Sequence, residues 1–82
     1  MTSLYILDVP ENHGVARVAA DCPGVITRMV GPYFEFTRDG EIVVDRRATG
    51  ARHAVWYSTI AGLRNARIAQ HDKNALRLEA RD

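Results

Sequence analysis

The sequence contains one cysteine, one lysine and no long apolar run. A lone cysteine, Cys22, cannot form an internal disulfide, and without a second sulfur ligand it does not suit a structural zinc site. No apolar stretch approaches the roughly 20 residues of a membrane-spanning helix. The segment after Met1 has neither the basic flank nor the apolar stretch of a signal peptide, so we expect a soluble, cytoplasmic protein with no membrane partner.

What remains is the composition of an ordinary globular protein. The chain has 82 residues, of which 46% are apolar and 26% are charged, which is unlike a disordered tail. A chain of this length forms one core and buries only about 60 to 65 per cent of its unfolded surface. We therefore predict a single α+β domain over residues 1–82, stabilised by packing or by a partner.

The net charge of +1 hides an asymmetry between the two halves of the chain. Residues 1–45 carry seven acidic and three basic side chains, a net charge of −4, whereas residues 46–82 carry eight basic and three acidic side chains, a net charge of +5. This distribution can steer docking to another protein, pair two copies in a dimer, or be neutralised on folding. An isoelectric point near 8.0 is low for a dedicated nucleic-acid binder, so nucleic acid is a disfavoured partner.

The first third of the chain predicts a strand and a helix. Residues 4–9 form a short β-rich run, and the apolar positions of residues 15–22 recur at helical spacing. Asp8 or Asn12 is the expected N-cap of that helix. Gly14 weakens the helix prediction, and a strand over much of the same segment is the alternative.

The middle of the chain predicts strands and a tight turn. Residues 25–30 alternate in polarity, and two β-rich runs, 33–37 and 41–45, flank an Asp39-Gly40 pair. Because Asp-Gly supplies the positive φ angles of a tight hairpin, we expect these two runs to pair with each other.

In the last third of the chain, the predicted secondary structure is ambiguous for residues 49–63 and clear for residues 66–79. Residues 49–63 fit a helix capped by Thr49, but residues 55–60 also have the composition of a strand. Residues 66–70 and 75–79 are separated by a polar turn and predict a closing hairpin. The expected fold is α+β, with a mostly antiparallel sheet and one or two short helices in a β-α-β-β type of organisation.

Residues for catalysis are sparse. His13, His53 and His71 do not stand at metal-ligand spacing; we expect His13 and His71 at the surface and His53 in a packed or interfacial position. The carboxylates are dispersed, and Cys22 has no basic neighbour to lower its pKa. We therefore predict no catalytic residue, cofactor or metal, and expect that the chain is not an enzyme.

The most distinctive segment, residues 46–58, groups three arginines with the only tryptophan. Arginine, tryptophan and tyrosine often anchor protein interfaces because they bury large areas while offering directed polar groups. The alternative is that the tryptophan centres a small core with the arginines as its solvated rim. The candidate partner-binding residues are Arg46, Arg47, Arg52, His53, Trp56 and Tyr57.

The order of these elements resembles the coupling, or effector, proteins of bacterial multicomponent diiron monooxygenases, which oxidise phenol, toluene, propane or methane. The likeness lies in an opening strand and helix ending near a Pro-Gly turn, an aromatic-started strand with a Gly-Glu turn and aliphatic strand, an Ala-Gly segment, and an acidic turn before the last strand. The matching segments are 4–25, 33–46, 58–62 and 71–78. This chain is shorter than usual, since only residues 47–55 lie between the aliphatic strand and the Ala-Gly segment.

The resemblance implies a cofactor-free regulatory subunit. Such proteins bind a larger oxygenase, the diiron hydroxylase, and adjust substrate access and turnover without an active site of their own. The alternative is a small homodimeric protein that binds a metabolite or shields an edge strand through self-association. Nucleic-acid binding and a small isomerase-like activity are less favoured.

Overall fold

The computed structural model describes residues 1–81. The strands are β1 (Thr2–Leu7), β2 (Ile26–Val30), β3 (Tyr33–Arg38), β4 (Ile42–Asp45), β5 (Ile60–Arg64), β6 (Ala66–His71) and β7 (Ala75–Ala80). The helices are α1 (His13–Asp21), which follows a 3-10 turn at Pro10–Asn12, and two short helices, α2 (Arg46–Thr49) and α3 (His53–Ser58). The predicted α+β class is confirmed.

The strands form two antiparallel sheets. One sheet has the order β2-β3-β1-β5 and the other the order β4-β7-β6. In the larger sheet, Leu4 faces Phe36 and Ile6 faces Phe34 across β1 and β3. The last two strands form the predicted closing hairpin, with Ala66 opposite Ala80.

One continuous core lies between the sheets and helices. Alternate residues of β1 and β7 point inward because side chains alternate across a strand; Leu4, Ile6, Leu76 and Leu78 are all fully buried. The sheets, α1 and α3 contribute the other large buried side chains, which are Val15, Phe36, Ile42, Val44 and Trp56.

The expected hairpin across Asp39-Gly40 is wrong. Strand β3 pairs with β1 on one side and β2 on the other, so it has no free edge for β4, which pairs with β7 in the second sheet. Gly40 does adopt a positive φ of 109°, and the Arg38 guanidinium donates to the Glu41 carbonyl. The turn therefore carries the chain from one sheet to the other.

Helix α1 forms where the apolar spacing predicts it, but its start differs. Asn12 occupies the N-cap position without capping, because its side-chain oxygen, the atom that would cap, accepts from the Thr59 hydroxyl at 3.3 Å, while its amide nitrogen donates to the Leu7 carbonyl at 3.0 Å. The Asp8 carboxylate bonds instead to the His13 ring at 2.7 Å. A Cβ at Gly14 would lie 2.2 Å from the Thr49 carbonyl oxygen. The glycine that weakens the helix prediction thus permits close packing of α1 on α2.

The ambiguous segment 49–63 contains a helix and then a strand, so the strand predicted over residues 55–60 is wrong for most of its length and the predicted helix is shorter than expected. Helix α3 ends at Ser58, whose hydroxyl donates to the Ala54 carbonyl at 2.8 Å, and β5 begins at Ile60. Thr49 does not cap α3. It ends α2, a helix that the sequence patterns did not predict and that Asp45 caps by accepting from the Ala48 amide at 3.1 Å.

Candidate docking surface

The six candidates lie on or beside two short helices; Arg46 is half-buried, and Arg47, Arg52, His53 and Tyr57 are exposed. Arg46 and Arg47 form the first turn of α2, and Arg52 stands at the N-cap of α3. His53 and Tyr57 are separated by one turn of α3, so both side chains project from the same side of that helix. Gly50 is the C-cap of α2, and its φ of 66° favours glycine.

Trp56 is a core residue. Its side chain is fully buried, and the indole nitrogen donates to the Asp72 carbonyl at 2.6 Å. Burial of a tryptophan with its N–H satisfied contributes both apolar area and a fixed geometry. Trp56 therefore attaches the β6–β7 turn to α3, as the alternative interpretation of this residue expects, and it does not contribute a side chain to the surface.

His71 joins the candidate residues through the fold rather than through the sequence. The ring centroid of Tyr57 lies 4.8 Å from that of His53 and 5.1 Å from that of His71. The His71 ring also lies edge-on to Trp56 at 5.5 Å, and its Nε2 lies 3.2 Å from the Trp56 carbonyl oxygen. Tyr57 remains 40% exposed. The result is a solvent-facing tyrosine held between two imidazoles, whereas the sequence had suggested that His71 lies in a solvated turn.

A basic groove continues this surface. It has a volume of about 590 Å³, and its lining includes Arg46, Arg47, Lys73 and the acidic Asp45. Within residues 1–81, no carboxylate forms an ion pair with the four cationic side chains of this region, which are Arg46, Arg47, Arg52 and Lys73. We call these four residues, together with His53, Tyr57 and His71, the basic surface.

The nearby carboxylates are engaged by backbone groups. Asp45 caps α2, and Asp72 accepts from the backbone amides of Asn74 and Ala75 at 2.8 and 3.1 Å. These amide hydrogen bonds, with a further one from Gln70, lower the pKa of Asp72. Asp72 thus stays ionised while it orders the turn that presents Lys73.

A second polar cluster lies on the larger sheet. Glu35 is buried and accepts from Arg28 Nε and from the Tyr5 hydroxyl, the latter at 2.6 Å. The Arg28 and Tyr5 hydrogen bonds lower the pKa of Glu35, and the bond to Glu35 raises the pKa of Tyr5. A carboxylate with both oxygens occupied by donors is a poor proton acceptor, so this cluster stabilises the sheet rather than serving as a general base.

Residues 1–81 include no group of three or more His, Cys, Asp or Glu side chains that could hold a metal ion. Among the described helices, none has the length and apolar character needed to cross a bilayer.

The fold and surface define a small α+β protein of two antiparallel sheets with a basic patch on its short helices. A scan against protein-family models found no match, and a search of curated proteins found no match either. The chain is similar in fold to a chain of a solved phenol hydroxylase–regulatory protein complex, with a TM-score of 0.78 over 95% of each chain. The identity is 10%, so this likeness concerns the fold.

Proposed function

We propose that this chain is a cofactor-free regulatory subunit that binds a larger oxygenase, a diiron hydroxylase, and modulates its substrate access and turnover. The observation that carries the proposal is the fold similarity to a chain of the phenol hydroxylase–regulatory protein complex, which spans 95% of both chains. The sequence resemblance to effector proteins supports the same proposal, because the segments that carry it are distributed along nearly the whole chain.

The proposed mode of action needs no catalytic residue in the subunit. A protein that binds one conformation of an oxygenase more tightly than another raises the population of the first conformation. The size of that shift is set by the difference between the two affinities. The subunit would therefore alter turnover only in proportion to how well its docking surface distinguishes the two conformations.

We place the docking contact on the basic surface. Tyr57 offers a large ring that is already held in one orientation by His53 and His71, so little side-chain entropy is lost when it is buried. Arg46, Arg47 and Arg52 are the arginines of this contact, and their lack of ion pairs within residues 1–81 leaves them available to acidic groups of a partner. Trp56 supports the surface from beneath.

The direct test is the effect of the subunit on an oxygenase. The purified chain is added in increasing amounts to the diiron hydroxylase of the same organism with its reductase, and NADH-coupled substrate oxidation is measured. We expect a saturable rise in coupled turnover. No change in rate or coupling at excess subunit contradicts the proposal.

Variants then locate the contact. Tyr57→Ala and Arg52→Ala each remove a side chain from the basic surface, and truncation of an interface anchor typically costs about 1 to 2 kcal/mol or more. We expect about tenfold more of either variant to be needed for half-maximal effect. Arg81→Ala is the control. Arg81 directly follows the C-terminal end of β7, which is the end of the β6–β7 hairpin opposite to its turn, so it lies away from the basic surface. Trp56→Ala is unsuitable here, since loss of a buried ring destabilises the fold itself.

A further inference from the structure

Strand β2 is an edge strand of unusual exposure. All five residues of Ile26–Val30 are exposed, and Ile26, Met29 and Val30 retain 65%, 50% and 39% of their accessible surface. The strand pairs only with β3, so its outer edge presents unpaired backbone donors and acceptors. Leu7 and Tyr33 extend the apolar exposure of Val30 across β1 and β3, because Tyr33 faces both Leu7 and Val30 in the register.

The other three edge strands in the described part of the chain carry features that oppose pairing. Strands β5 and β6 each contain a bulge, at Ala61 and Ala69, where one residue is left without a partner. Strand β4 has only four residues and packs against α1. Strand β2 pairs with β3 in regular register, contains no proline, and its one charge, Arg28, is bound to Glu35. It is thus the edge best suited to accept another strand.

We propose that β2 pairs antiparallel with β2 of a second copy of this chain, about a two-fold axis at Arg28. In this register Ile26 faces Val30 of the second copy, so apolar side chains meet on the outer face of the joined sheet. The two Arg28 side chains meet at the axis. Each remains bound to its own Glu35, whose side chain is only 8% exposed, so the centre of the interface carries no net charge.

The inner face of the joined sheet is what makes the interface self-complementary. Thr27 borders a mostly apolar groove of about 470 Å³ between the sheet and α1. Its lining includes the apolar Ala16, Ala20, Phe34 and Phe36 together with the polar side chains of Asp8, His13 and Arg17. The proposed register places Met29 of the second copy opposite Thr27, at the entrance to this groove. A methionine side chain adapts readily to an irregular apolar gap. Because the axis is two-fold, both copies make this contact.

The interface is short, so the dimer is weak. A five-residue strand spans about 17 Å, and one strand per copy gives less area than a standard protein–protein interface. We expect a monomer–dimer equilibrium in the micromolar to millimolar range, measured by sedimentation equilibrium of the purified chain. Binding to an oxygenase is not needed for this equilibrium, so its outcome is separate from that of the proposed function.

A matched pair of variants tests the strand. Met29→Lys places a charge at the groove, whereas Ile68→Lys makes a similar change on β6, where Ile68 is 48% exposed. We expect Met29→Lys to weaken dimerisation by at least about tenfold and Ile68→Lys to leave it unchanged, with circular dichroism confirming that both variants fold. A chain that stays monomeric at every concentration, or a dimer weakened by Ile68→Lys and not by Met29→Lys, overturns the proposal.

A cross-link tests the register. Directly opposed residues of antiparallel strands have Cα atoms about 4.5 to 5.5 Å apart, which is within disulfide reach. In a Cys22→Ser background, a mixture of Thr27→Cys and Met29→Cys chains is expected to give a covalent heterodimer on mild oxidation, more rapidly than either chain gives a homodimer. Dimers that form no mixed cross-link contradict the pairing about Arg28.

Discussion

Replacement of Gly14 by alanine has two opposite effects on stability: it raises the helix propensity of α1, and it disturbs the packing of α1 on α2. Gly14 lies in the first turn of α1, where alanine is more favourable than glycine by up to about 1 kcal/mol. A Cβ at this position, however, would lie 2.2 Å from the Thr49 carbonyl oxygen, which is backbone and cannot rotate away. Overpacking of this kind costs about 1 to 3 kcal/mol. We expect the clash to exceed the propensity gain, with a net destabilisation of about 0.5 to 2 kcal/mol.

The assay is urea unfolding of Gly14→Ala beside a second glycine variant. Gly62→Ala is the control, because a Cβ at Gly62 meets nothing within 4 Å and its φ is not positive. We expect this control to be neutral or slightly stabilising, since alanine lowers the entropy of the unfolded chain. If Gly14→Ala is as stable as the wild type, α1 and α2 are not in the close contact described above. Movement of α2 away from α1 in Gly14→Ala would also displace Arg46 and Arg47. We therefore expect Gly14→Ala to dock more weakly as well.

Three further changes test the core, the Glu35 cluster and the α2 cap. Trp56→Ala removes a fully buried ring and should lower the free energy of unfolding by about 3 to 5 kcal/mol; a loss below about 1 kcal/mol would show that the ring is not packed. Glu35→Gln should destabilise near neutral pH. Because the folded-state pKa of Glu35 is lowered, its ionised form contributes stability above the unfolded pKa of about 4.3, and that contribution disappears as pH falls through the folded pKa. The stability difference between wild type and Glu35→Gln should therefore shrink under acid, and a difference that is the same at acidic and neutral pH refutes the assignment. Asp45→Ala should cost about 0.5 to 2 kcal/mol through loss of the α2 cap, measured by urea unfolding; an unchanged stability would exclude the cap.

Sequence reasoning identified the elements with strong local patterns. The helical spacing of residues 15–22 and the predicted closing hairpin agree with α1, β6 and β7, and the alternate residues Leu76 and Leu78 of β7 are both buried. These patterns depend on neighbours within a few residues, where side-chain periodicity decides which face is buried.

The features that the sequence predicted wrongly or missed depend on contacts between residues that are far apart in the chain. Asp39-Gly40 has the composition of a hairpin turn, but the partner of β3 depends on β1 and β2, which local composition does not reveal. Residue 71 joins the candidate surface only because the indole of Trp56 and the turn at Asp72 bring β6 against α3. The burial of Trp56 is likewise a property of the whole core.

A direct binding titration tests whether the basic surface binds a larger oxygenase. Fluorescently labelled wild type, the Arg46→Glu/Arg47→Glu double variant and Arg81→Glu are each titrated with the diiron hydroxylase at two salt concentrations. We expect saturable binding of the wild type that weakens with salt, a loss of at least about tenfold in the affinity of the double variant, and an unchanged affinity of the Arg81→Glu control. Equal affinities for all three proteins would contradict the assigned surface, and no binding of the folded wild type would contradict the proposed function itself.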